Sequence, residues 1–222
     1  MLFPLRDVIP SRTTPVVTWL LVGLNIAIHL AVLAGGSEAR MALLTSWGLV
    51  PGAFSSVAVF TSMFLHADVW HLGGNMLSLW IFGDNVEDQM GHGRFLVFYL
   101  LCGTLAALAE TWVSPTSLLP IVGASGAIAG VMGAYFVMFP HSRVLVLLFL
   151  VIYVNIIEIP ALFFLAFWFL TQVLGSLGRS ATMGASGGVA FVAHAAGFLA
   201  GAALIRLFRR PERRSWTWRE QD

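Results

Sequence analysis

Six apolar stretches, at 16–34, 69–82, 95–113, 121–139, 159–174 and 188–208, occupy nearly half of a chain of 222 residues. About 20 apolar residues suffice to cross the hydrocarbon core of a bilayer as a helix. In lipid, every backbone N–H and C=O must be satisfied within the protein, so such stretches fold as helices. Composition agrees: 10% of the residues are charged, against about 25% in a soluble domain. The expected architecture is an all-α polytopic membrane protein. A six-helix membrane domain spans 15–208, a cytoplasmic N-terminus covers 1–14 and a basic cytoplasmic tail covers 209–222. The first stretch exceeds the roughly 7–15 apolar residues of a signal peptide, so it reads as a retained span.

The segments between carry their own expectations. Residues 35–59 form a mixed loop with Trp47, Pro51 and Phe54, residue types that suit the membrane interface. The stretch 69–82 is the poorest span, interrupted by His71, Gly73, Gly74 and Asn75. A polar turn is expected over 83–93 and a Gly/Ser loop over 175–187. Residues 144–154 are apolar but too short to cross, and read as interfacial or as lining a bend. All twelve basic residues are arginine. Six crossings with the N-terminus inside put ten of them on the cytoplasmic side and leave only Arg40 and Arg179 outside. That asymmetry follows the positive-inside rule. The absence of lysine excludes lysine-base and Schiff-base chemistry, and a single cysteine, Cys102, excludes an internal disulfide.

Polar residues inside spans are costly and point to function. His71 and Asn75 are four apart and share a helix face. Ser125 opens the fourth span within Gly123-Ala124-Ser125-Gly126, and His194 lies about two turns into the sixth. With six crossings, all four sit at one depth, in the outer part of the bilayer. A serine, a histidine and two side-chain donors are the parts of serine-nucleophile acyl transfer. Gly126 and Gly130 on the fourth span, and Gly197 and Gly201 on the sixth, give small faces that permit close helix approach. Ser186 has the same Gly-Ala-Ser-Gly setting, but on one helix it would lie about 12 Å from His194 along the axis. Ser125 is therefore the preferred nucleophile, and Ser186 is assigned to an outer loop. No HExxH is present, and beside His66 and His71, with Asp68 near them, no helix-compatible further metal ligand stands out.

These motifs resemble those of the rhomboid intramembrane serine proteases. The family's His-x-x-x-Asn corresponds to His71 to Asn75, its G-x-S-G to Gly123 to Gly126, and its A-H-x-x-G-x-x-x-G to Ala193 to Gly201. The segments 82–91 and 160–172, the latter with Trp168, are also similar. The resemblance implies a rhomboid-like six-helix bundle with both termini cytoplasmic. It implies Ser125 as nucleophile, His194 as general base and then acid, and an oxyanion hole of His71, Asn75 and the Ser125 amide. It implies an endopeptidase that cuts in or near transmembrane helices, with entry past the fifth span. The expected partners are transmembrane substrates and the lipid bilayer, with no nucleic acid, cofactor or metal. The expected location is a bacterial inner membrane with the site facing outward. The competing reading is an inactive relative that binds transmembrane helices without cleavage. Two positions depart from the family pattern: Ala129 stands where many members carry an aromatic, and Trp47 is followed by Gly48 where a Trp-Arg pair is common.

Overall fold

The computed structural model describes residues 2–150, 153–181 and 190–210. The element order is β1 (Leu2–Asp7), α1 (Val16–Ala34), α2 (Gly36–Trp47), α3 (Ser56–Thr61), α4 (Val69–Met90), α5 (His92–Val113), α6 (Ser125–Met138), β2 (Arg143–Leu150), β3 (Tyr153–Pro160), α7 (Ala161–Ala181) and α8 (Phe191–Phe208). The chain is mostly helical. The helices α1, α5, α7 over Ala161–Gly178, and α8 are long and apolar enough to cross a membrane.

The helices α4 and α6 depart from that pattern for different reasons. At 22 residues, α4 is about 33 Å long, but its second half is polar. The polar residues expected to form a turn over 83–93 continue the helix to Met90, and the turn shrinks to Gly91 at φ 78°. Their polarity has a partner. Glu87 is fully buried and accepts the amides of Val17 (2.9 Å) and Thr18 (2.8 Å) and the Thr18 hydroxyl (2.7 Å). It thereby caps the first turn of α1, whose orphan N–H groups need acceptors. His92 Nδ1 lies 2.5 Å from the same carboxylate.

At 14 residues, α6 measures about 21 Å, short of the roughly 30 Å core. It is buried on every side from Ala127 to Tyr135, as expected for a helix that is apolar all round. It packs between α5 and α8 through its glycines. A Cβ at Gly126 would lie 2.6 Å from Ala106 Cβ on α5, and one at Gly130 would strike Cys102 Cβ. On the other side, a Cβ at Gly197 or Gly201 of α8 would strike the carbonyl oxygen of Gly126 or Gly130. The main core lies around this helix, with Leu79, Phe82, Phe98, Tyr99, Val131 and Tyr135 buried.

Three expectations about connections are corrected. The segment 35–59 contains the helices α2 and α3 and a short 3-10 turn at Pro51–Ala53. The span expected to end at 174 continues as α7 to Ala181; the remainder of that loop, with Ser186 and Gly187, lies outside the described residues. The fold is not all-α. The strands β2 and β3 pair antiparallel, and β1 pairs antiparallel with β2, Phe3 opposite Leu147 and Asp7 opposite Val144. The apolar run 144–154, too short to cross the membrane as a helix, lies within these strands, whose backbone is satisfied by strand pairing. Alternation sets its two faces: Val144 and Val146 are buried, whereas Val154 and Ile156 are exposed. Tyr135 and the Asn85 amide donate to Asp7 Oδ2 at 2.6 and 2.8 Å, fastening the sheet to α6 and α4. Burial there holds the Asp7 carboxyl above its usual range.

Candidate active site

The N-terminal turns of α4, α6 and α8 carry His71, Ser125 and His194 respectively. Each helix end is positioned locally. Asp68 begins α4 by accepting the amides of Trp70 (2.9 Å) and His71 (2.8 Å). Those amides, that of His71 foremost, hold its carboxyl below the ordinary range. The chain enters α6 through Gly123, at φ 123°, a conformation open to glycine and strained for residues with a Cβ. A Cβ at Gly123 would also lie 2.7 Å from the His71 ring, so its absence lets that ring sit over the entry to α6. The helix α8 begins at Phe191, so His194 lies in its first turn, not two turns in as expected. Glu110 Oε2 accepts the amide of Ala193 beside it at 3.0 Å.

The structure brings Ser125 and His194 together. His194 Nε2 lies 2.7 Å from Ser125 Oγ. The close packing of Gly126, Gly130, Gly197 and Gly201 brings α6 and α8 near enough for that contact. On α4, His71 and Asn75 are successive turns of one face. Asn75 is 7% exposed, and its Nδ2 has no hydrogen-bond partner among the described residues. A buried donor left open costs about 1–3 kcal/mol, and such a group suits a ligand atom that arrives later. Three helix N-termini face the same region, and their partial positive charge favours an anion there.

Two features of the histidine environment come from α7. Trp168 places its ring 6.0 Å from that of His194, inclined by 33°. This is the aromatic neighbour absent at Ala129, which is fully buried in the contact with Gly197. Gln172 Oε1 lies 2.8 Å from His194 Nδ1. Sequence reasoning passed over Gln172 as a site residue, because only the fold brings a glutamine 22 positions away onto the imidazole. Its one signal was placement four residues after Trp168, on the same helix face.

His66 does not join the Ser125–His194 contact. It is buried between His71, with ring centroids 5.2 Å apart, and His29, at 6.5 Å. Burial, with those two rings beside it, pushes the His66 imidazole down to about 3. Among the described residues no group of three His, Cys, Asp or Glu side chains could hold a metal ion.

Rhomboid protein 1, mitochondrial, of Saccharomyces cerevisiae is 37% identical over 99 residues, which are 43% of this chain and 29% of the relative. The rhomboid protease GluP of Bacillus subtilis is 33% identical over 124 residues, 54% of this chain and 24% of the relative. The rhomboid protease GlpG of Salmonella typhi is 26% identical over 132 residues, 59% of this chain and 46% of the relative. The matched stretches thus span less than half the length of each of these relatives. The sequence model of the Rhomboid domain matches residues 53–211, from the segment before α3 to just past α8. With well over half of its length matched in this way, the chain belongs to the rhomboid family.

Proposed function

We propose that this protein is an intramembrane serine endopeptidase that hydrolyses peptide bonds in or near the transmembrane helices of its substrates. The observation that carries this reading is the 2.7 Å contact between Ser125 Oγ and His194 Nε2. That is the distance a nucleophile and its general base require. The serine hydroxyl attacks the scissile carbonyl while His194 Nε2 takes its proton. The tetrahedral oxyanion is met by Asn75 Nδ2, His71 and the Ser125 amide, supported by the helix ends behind them. His194 then passes its proton to the leaving amine. A water repeats the sequence on the acyl-enzyme, releasing the second product and restoring the serine.

In the proposed topology α1, α4, α5, α6, α7 and α8 cross the bilayer, with both termini cytoplasmic and the site near the outer side. The arginine asymmetry supports that orientation. The membrane proposed is a bacterial cell membrane. The shortness of α6 supports a serine lying below the membrane surface, since a helix of about 21 Å leaves part of the roughly 30 Å core to be crossed by its flanking segments. A substrate helix hides its carbonyls in its own hydrogen bonds, so substrates with small or helix-breaking residues near the cut are favoured. The names of GluP and GlpG as rhomboid proteases support the class of activity.

A fluorescent alkyl fluorophosphonate, which reacts with activated serines, tests the reading on membranes holding the full chain. Wild type and Ser186→Ala are expected to be labelled, and Ser125→Ala and His194→Ala to stay dark. Labelling that survives Ser125→Ala would overturn the assignment of the nucleophile. A dark wild type would favour an inactive relative. A separate expectation concerns the oxyanion. Asn75→Ala should lower kcat for a transmembrane reporter by about 10²–10³-fold, with the protein still folded. Wild-type turnover in that variant would remove Asn75 from the site.

A further inference from the structure

We infer that Gln172 is a positioning residue for His194, one that selects the imidazole tautomer able to act as base; the inference rests on the Ser125–His194 reading above. A histidine that accepts the serine proton at Nε2 must carry its own proton on Nδ1. Which nitrogen is protonated is set by the hydrogen bond made at the other one. Here the partner of Nδ1 is the Gln172 side chain, itself only 8% exposed.

An amide can present either its oxygen or its nitrogen, and the two choices have opposite consequences. Gln172 Nε2 lies 3.2 Å from the Trp168 carbonyl oxygen and 2.9 Å from Thr171 Oγ1. A backbone carbonyl only accepts, so the atom facing it is the NH2 group. The oxygen is then the atom 2.8 Å from His194 Nδ1. It can only accept, so Nδ1 bears the proton and Nε2 turns its lone pair to Ser125. The reversed amide would set two carbonyl oxygens against each other, and its NH2 would hold the tautomer that cannot take the serine proton. The α7 backbone thus decides the protonation pattern of the base through one side chain.

Trp168, one turn earlier on α7, faces the same ring at 6.0 Å. The glutamine fixes the imidazole in its plane, and the indole limits its tilt. A neutral amide does this without a second buried charge, which would carry a large desolvation cost.

The test uses full-length protein in lipid, with the fluorophosphonate inactivation constants kinact and KI as the kinetic readout and ¹⁵N-histidine NMR as the tautomer readout. The His194 signals are assigned by their loss in His194→Ala. Gln172→Met keeps the length of the side chain and removes the acceptor. It is expected to lower kinact about 10–100-fold, the scale of one lost hydrogen bond to a group that becomes charged, with KI unchanged. The His194 signals should move from Nδ1-protonated to a mixture of tautomers. Gln172→Glu restores an acceptor and should recover most of kinact. Wild-type kinact in Gln172→Met would overturn the inference. So would a loss that Gln172→Glu does not recover while the tautomer stays unchanged. An Nε2-protonated His194 in wild type would also overturn it. The NMR reading does not depend on labelling, so an unlabelled wild type counts against the Ser125–His194 reading and leaves this test standing.

Discussion

Replacing Ser125 by Ala, His194 by Ala, or both at once is expected to lower peptide-bond hydrolysis by nearly the same factor, on the order of 10⁶ where nucleophile and base act as a unit. The reason is the single hydrogen bond between them, at 2.7 Å. A serine hydroxyl without a base is a weak nucleophile at neutral pH. A base without a nucleophile has no proton to take. Once either partner is gone, the other contributes little, so the double variant loses almost nothing more. The residual rate should come from the oxyanion donors and substrate binding. The measurement is a double-mutant cycle on cleavage of a transmembrane reporter in liposomes. Losses that multiply, with the double variant far below both singles, would show two independent groups and not one catalytic pair.

The second large effect is expected far from any reacting atom. Gly201→Ala adds one methyl group where α8 crosses α6, and that Cβ would strike the Gly130 carbonyl oxygen. A helix carbonyl cannot rotate aside without losing its own hydrogen bond, so the two helices must separate. Overpacking of this kind destabilises by about 1–3 kcal/mol, and a shift of 1 Å at a reacting contact can slow chemistry about 10²-fold. Gly201→Ala should therefore lower the melting temperature and reduce fluorophosphonate labelling about 100-fold, on that scale. Gly23→Ala is the matched control, since a Cβ at Gly23 in α1 meets nothing within 4 Å. It should retain full labelling, and alanine favours the helix by about 1 kcal/mol over glycine. Equal activity in the two variants would mean that the α6–α8 approach does not set the Ser125–His194 distance.

The parts of this protein readable from sequence are those governed by local chemistry. The helix α1 occupies Val16–Ala34, the apolar run itself. The helices α5 and α8 differ from their runs by three residues at the N-terminal end. Ser125, His194, His71 and Asn75 stood out because polar side chains in apolar surroundings need a reason. The departures have a common cause. Residues 83–90 looked like a turn because they are polar, yet they continue α4, where the Glu87 carboxylate serves the start of α1. Residues 144–154 looked merely too short to cross, because the β1 strand that pairs with β2 lies more than 130 positions away. The helix α2 was hidden by its mixed composition, with Glu38 and Arg40 among apolar residues.

By itself, then, the sequence determined the solvent of the fold, the apolar runs of α1, α5, α7 and α8 that are long enough to cross it, and the residues, Ser125 and His194, proposed here as nucleophile and base. These follow from the transfer free energies of side chains and from residue types that have few other uses in lipid. Only the tertiary structure decided how close Ser125 and His194 come, through four glycines that bring α6 and α8 into backbone contact. It alone also decided what holds the imidazole. Trp168 and Gln172 reach His194 from α7, taking the place of an aromatic that Ala129 has no room to be. A hydrogen bond depends on distance and direction between atoms far apart in the chain, and no local pattern of residues encodes either.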